Sequence, residues 1–175
     1  MVNFTKALLS FNFATPSASS QEKACSARNA LMFIGEYQHS IDPKKRLALP
    51  SKFRGELGAR VVVTRGLDRS LFVYPMKVWE ELARKLGSLP IGETGTRSFT
   101  RLMLAGATDV ELDSQGRVLI PEYLKKEAGL AKEVTVVGLY NRLEIWDTKE
   151  WQKYKHQAEK NTEKIANELG KIGIY

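Results

Sequence analysis

The sequence predicts an α+β, β-rich protein made of one unit used twice, with helices between the copies and a helix after the second. Three observations predict it. First, His39-Ser40-Ile41-Asp42-Pro43-Lys44-Lys45-Arg46-Leu47-Ala48-Leu49-Pro50 returns as Val110-Glu111-Leu112-Asp113-Ser114-Gln115-Gly116-Arg117-Val118-Leu119-Ile120-Pro121, with Asp, Arg and Pro each recurring 71 residues on. Second, a Val-rich run follows each copy, Val61-Val62-Val63 and Val134-Thr135-Val136-Val137, as buried strands require. Third, Trp79 is answered by Trp151, each in a segment with helical punctuation. A duplicated unit of this size builds a pseudo-symmetric body, so functional residues are expected in pairs.

The elements follow in order. Glu36 to Ile41 alternates as a half-buried strand. Asp42-Pro43-Lys44-Lys45 reads as a type I turn, because Asp accepts a backbone hydrogen bond and Pro presets φ at the second position. Leu47 to Leu49 is a short strand. Pro50 opens a helical turn through Arg54, with Gly55 and Gly58 as stops. Val61–Val63 and Leu71–Tyr74 form a second hairpin around Gly66-Leu67-Asp68-Arg69. Val78 to Leu86 and Thr96 to Leu104 are the central helices, separated by a loop containing Pro90. The second copy repeats the plan: a strand over Thr108 to Leu112, a turn at Asp113-Ser114-Gln115-Gly116, and a strand over Val118 to Ile120. A helix over Pro121 to Ala128 comes next, then the strands Val134–Val137 and Leu143–Trp146. Asp147 N-caps a final helix, with Glu150 at the capping-box position, running to Leu169. Its apolar stripe of Trp151, Tyr154, Ala158, Ile165 and Leu169 suits either a docked helix or a subunit contact. The corresponding segments are 36–79 and 107–150 for the two copies, 80–106 for the helical connector and 151–175 for the C-terminal helix.

Composition narrows the function. Among 175 residues, 43% are hydrophobic and 27% charged, ordinary for a globular protein, and the net charge of +7 favours acidic partners such as nucleic acid. No run approaches a membrane span. Cys25, the single cysteine, makes neither an internal disulfide nor a cysteine-based zinc site, which suits a reducing cytoplasm. Residues 1–31 differ from the rest, with no helical or strand period over Phe11 to Ser20; we expect them to be a disordered or misassigned extension, with Met32 as the natural start.

Enzymatic chemistry needs converging acids, bases or nucleophiles, or a metal. Only His39 and His156 are available as histidines, far apart in the chain, and no phosphate-binding loop, zinc spacing or nucleophile elbow occurs. No enzyme, metal or cofactor is therefore expected. What stands out is an Arg directly after a tight turn, twice. Arg46 and Arg117 begin return strands near two exposed points, and a guanidinium donates to guanine O6 and N7 or to phosphates. Lys44, Lys45, Lys52 and Arg54 add charge around the first tip, and Lys125 and Lys126 after the second. Asp42 and Asp113 cap the turns and are placed to orient the arginines. A turn-stabilising ion pair alone would suit one copy; recurrence at one spacing in a basic protein favours DNA binding.

Met32-Phe33-Ile34-Gly35-Glu36-Tyr37, the Asp42-to-Arg46 segment with Leu49-Pro50, and the Asp113-to-Arg117 segment with Ile120-Pro121 resemble the MraZ family of bacterial transcriptional regulators. The resemblance covers residues 32–175. It implies two AbrB-like swapped-hairpin units interleaved into one pseudo-symmetric β-barrel. It also implies a homo-oligomeric ring that binds short G-rich direct repeats of double-stranded DNA in the promoter of the division and cell-wall gene cluster, usually as a repressor. A cytoplasmic, nucleoid-associated protein without membrane contact is expected. The family's DNA-contacting arginines fall on Arg46 and Arg117 and its aspartates on Asp42 and Asp113. One departure is visible: the family's usual Gly is kept at Gly116 but is Lys45 in the first copy. If that position needs φ > 0, Lys45 costs about 1 kcal/mol. A ring-forming protein scaffold and an antitoxin-like AbrB-fold DNA binder are the rival readings; the duplication argues against the second.

Overall fold

A computed structural model describes residues 32–173, and the expectations for residues 1–31, Cys25 included, lie outside that range. The first repeat contains β1 (Phe33–Ser40), β2 (Arg46–Ala48), α1 (Ser51–Leu57), β3 (Arg60–Arg65), β4 (Leu71–Pro75) and α2 (Met76–Gly87). Helix α3 (Thr94–Ala105) links it to the second, which contains β5 (Thr108–Glu111), β6 (Arg117–Leu119), α4 (Glu122–Glu127), β7 (Glu133–Tyr140), β8 (Arg142–Asp147) and α5 (Thr148–Lys160). Helix α6 (Thr162–Lys171) follows.

Six strands form one sheet in the order β1-β7-β8-β4-β3-β5, and β2 pairs with β6 in a two-stranded ribbon. The order is symmetric about the β8–β4 pair. Each repeat lends its first strand to the other: β1 lies antiparallel on β7, and β5 on β3. This is the swapped-hairpin interleaving that the family resemblance implies. The hydrogen bonds are divided between two sheets, and barrel closure is not part of their pattern.

One core serves both repeats, filled by corresponding side chains. Leu47 faces inward with Val118, Leu49 with Ile120, and Phe53 with Leu124, while Val61, Val63, Val73, Val134, Val136 and Ile145 supply the sheet's inner face. All of these are at most 1% exposed, and full burial of one such side chain contributes about 1.5–3 kcal/mol. Strands β3 and β7 read as continuous apolar runs because helices cover their other face. Phe72 and Tyr74 pack there with Leu86 of α2 and Met103 of α3, and the Thr64 hydroxyl donates to the Met103 carbonyl at 2.7 Å. Symmetry extends to the aromatic pairs. Trp79 lies 5.8 Å from Tyr74, and Trp151 lies 5.4 Å from Trp146.

Several boundaries differ from the sequence expectation. Strand β1 starts at Phe33, because its ladder with β7 continues to Tyr140 and leaves Phe33 fully buried. Helix α1 runs through Gly55 and ends only before Gly58, whose φ of 76° breaks it. Helix α2 begins directly after Pro75, and α3 includes Thr94 and Gly95. The single C-terminal helix is two helices. Asn161 donates to the Gln157 carbonyl and Thr162 to Ala158 and Glu159, so their side chains compete with the backbone ladder at the break. The Asp147 cap is as expected, accepting from Lys149 N at 3.0 Å and Glu150 N at 3.4 Å.

Candidate nucleic-acid interface

Both Asp–Arg turns are closed by the same bonds. In the first, Lys45 N donates to the Asp42 carbonyl at 2.8 Å and Asp42 N to the Arg46 carbonyl at 2.9 Å. In the second, Gly116 N donates to the Asp113 carbonyl at 2.8 Å and Asp113 N to the Arg117 carbonyl at 3.0 Å. The residue before each Arg is left-handed, with φ of 62° at Lys45 and 70° at Gly116. The expected four-residue turn is thus part of a hairpin whose loop is the three residues between Asp and Arg, closed by a bulge at the left-handed residue. It also meets the condition on Lys45: the position needs φ > 0, and Lys45 bears the steric cost that Gly116 avoids.

Each aspartate then fixes its arginine. Asp42 Oδ1 accepts from Arg46 N at 2.9 Å and Oδ2 from Arg46 Nε at 2.8 Å, and Arg46 Nη2 makes an ion-pair contact with Oδ2 at 2.7 Å. Asp113 Oδ1 accepts from Arg117 N and Gln115 N, each at 2.9 Å, and Oδ2 from Arg117 Nε at 2.7 Å. These bonds, the arginine's backbone amide foremost, hold both carboxyls below the usual carboxylate range.

The arginines were expected near two separate exposed points. Instead, the ribbon brings them onto one surface. In its register Arg46 faces Leu119, Leu47 faces Val118 and Ala48 faces Arg117. Leu47 and Val118 are fully buried, so Arg46, Leu119, Ala48 and Arg117 share the outer face, where Leu119 is half exposed. Arg46 Nη1 lies 4.0 Å from Asp113 Oδ2, linking the two sites across the pseudo-symmetry axis. Nor do the arginine side chains project. They are 31% and 26% exposed, laid against their aspartates by the shortness of the hairpin neck.

The surrounding cations separate. Lys44 is exposed in the first turn. Lys45 Nζ pairs with Glu122 Oε2 of α4 at 2.8 Å, which lowers the Glu122 pKa. Arg54 belongs to the first repeat yet serves the second turn. Its Nε donates to the Leu49 carbonyl at 2.9 Å, and a Cβ placed on Gly116 would meet Arg54 Nε, Cδ and Cζ at close range. Backbone bonds cross the same way: Leu49 N to the Gly116 carbonyl at 3.0 Å, and Ile120 N to the Lys45 carbonyl at 2.9 Å. Each short helix therefore buttresses the other repeat's turn. Lys52 is not at the tip. It reaches the Ile34 carbonyl at 3.4 Å and lies 5.8 Å from the Phe53 ring, about 20 Å along β1 from Ser40. Lys125 and Lys126 lie on α4 beside Glu122 and therefore accompany the first turn.

Neither histidine joins a catalytic group. His39 is half-buried on β1, its pKa lowered by that burial and then by Arg54, and His156 is exposed on α5. Among the described residues no cluster of three or more His, Cys, Asp or Glu could hold a metal, and no helix is long and apolar enough to cross a membrane. Sequence reasoning passed over Glu122 and Leu119. Leu119 could have been found by its offset from Ala48; for Glu122 the signal was a Lys where the other copy has Gly.

The sequence profile described as "MraZ protein, putative antitoxin-like" matches the chain twice, over residues 32–102 and 103–171. A protein named transcriptional regulator MraZ from Halothermothrix orenii is 50% identical over 143 residues, covering 82% of this chain and 100% of the relative. Relatives of the same name from Acetivibrio thermocellus and Alkaliphilus metalliredigens are 46% and 48% identical, with the 143 matched residues again covering 82% of this chain and 100% of each relative.

Proposed function

The chain belongs to the MraZ family of transcriptional regulators, and from that premise we propose that it represses transcription by binding short G-rich direct repeats of double-stranded DNA. The observation carrying this reading is the pair of aspartate-held arginines on one ribbon face. A guanidinium already oriented by a carboxylate loses little freedom on meeting guanine O6 and N7. Arg117 donates Nε to Asp113 at 2.7 Å, which orients the guanidinium, and its terminal nitrogens are the ones assigned to a base edge. Lys44 and Arg54 serve adjacent phosphates, whereas Lys52, held near Ile34, lies off the contact face. Asp42, Asp113 and Gly116 set the geometry. The regulated promoter is that of the division and cell-wall genes, and the protein works in the cytoplasm at the nucleoid, without catalysis.

One chain offers few base contacts, so a homo-oligomeric ring engaging successive repeats supplies the affinity. Support for self-association comes from Leu67, Phe99 and Leu102, all exposed beside a groove of about 240 Å³. A scaffold role would use the same surface without preferring G-rich repeats. A mobility shift at fixed salt tests the proposal. Repeat DNA should bind more tightly than a scrambled duplex, and Arg117→Ala should cost about 1–3 kcal/mol per engaged site. Equal binding of both duplexes, or an unaffected variant, would refute it.

A further inference from the structure

The two turns differ in charge. Lys45 fills the left-handed position of the first turn, and Glu122 takes its ammonium at 2.8 Å in a pair whose side chains are 48% and 47% exposed. In the second turn Gly116 stands there instead, and Ser51, 71 residues before Glu122, is neutral. The cation at that turn is Arg54, which makes no ion pair among the described residues. The lysine at the left-handed position of the first turn is thus neutralised within the protein, while the cation at the second turn is open to an anion.

We infer that Glu122 tempers backbone affinity by withholding Lys45 from DNA phosphates, leaving Lys44 and Arg46 as the working cations of the first turn. The inference rests on the DNA-binding reading above. A free lysine that meets a phosphate releases a condensed counterion, which drives sequence-independent binding. Lys45 has an intramolecular counterion already. Binding phosphate there would exchange Glu122 for phosphate and leave a carboxylate beside the anionic backbone, so the contact contributes little. The contact is lost on every sequence alike, so Glu122 lowers the sequence-independent part of the affinity while the base-reading arginine is untouched.

The test measures the salt dependence of affinity for a random-sequence duplex, using the full chain, Glu122→Gln, Lys45→Gly and the double variant. Glu122→Gln should steepen the slope of log affinity against log salt by about 0.9 per engaged chain, a roughly 3.5-fold larger loss between 50 and 200 mM salt. Lys45→Gly should keep the parent slope, and the double variant should match Lys45→Gly. An unchanged slope in Glu122→Gln, a steepening that survives in the double variant, or a slope flattened by Lys45→Gly alone would each overturn the inference. The last comparison stands even if Glu122→Gln does not fold. A parent protein that binds no duplex at any salt would overturn the DNA-binding reading as well, which separates the two failures.

Discussion

Gly116→Ala should destabilise the protein by about 2 kcal/mol, and the structure divides that figure into parts. A side chain at φ of 70° costs about 1–2 kcal/mol of backbone strain. Reduced freedom of the unfolded chain returns about 0.4–1 kcal/mol. The new Cβ also falls on Arg54 Nε and Cζ, so Arg54 must leave, and its hydrogen bond to the Leu49 carbonyl is worth about 1 kcal/mol. Urea unfolding at fixed protein concentration reads the difference; the fixed concentration matters because self-association shifts apparent stability. In an Arg54→Ala background the same substitution should cost only about 1 kcal/mol, since the guanidinium is no longer there to displace. A neutral Gly116→Ala would refute the strain argument, and an equal cost in both backgrounds would refute the buttressing by Arg54.

Four further outcomes follow from the same geometry. Lys45→Gly should raise stability by about 0.5 kcal/mol, because relief of the left-handed strain exceeds the loss of one exposed ion pair; a lower urea midpoint would contradict this. Asp42 and Asp113 have lowered pKa values, so their contribution is present above the ordinary carboxylate value of about 4 and lost as pH falls through the lowered values. Amide shifts of Arg46 and Arg117 should therefore be flat from pH 7 to about 4.5 and move only at lower pH; a transition near neutrality would refute the assignment. Lys44→Ala should flatten the salt slope of DNA binding by about 0.9, whereas Lys52→Ala should leave it nearly unchanged, given its place near Ile34. Asp147→Ala should cost about 1 kcal/mol in thermal unfolding by removing the cap of α5.

The duplication made much of this fold legible. Asp, Arg and Pro at one offset predicted paired turns, and the Val runs predicted buried strands, because both depend on residues near in sequence. What stayed hidden depends on how the copies meet. The exchange of β1 and β5 decides that Arg46 and Arg117 share a face and that Arg54 lies on the opposite repeat's turn, and nothing local to either residue encodes that exchange. Lys52 was placed at the tip by sequence nearness, but α1 turns it towards the start of β1. The helix break at Asn161 was missed for a smaller reason: apolar spacing outweighed the Asn-Thr pair that competes with the helix for carbonyls.

The strand exchange makes neither repeat a separable object. Each lacks the strand that completes its own sheet, so the two act as partners of an obligate dimer whose subunits share one covalent chain. In a dimer of identical chains every substitution enters both halves at once, and a change tolerable in one place must be tolerable in two. Fusion lifts that restriction. A lysine can replace glycine in one turn alone, an acid can appear opposite it alone, and the other turn keeps its glycine. The tether between the repeats therefore permits the two halves of one interface to acquire different affinities for the same anion.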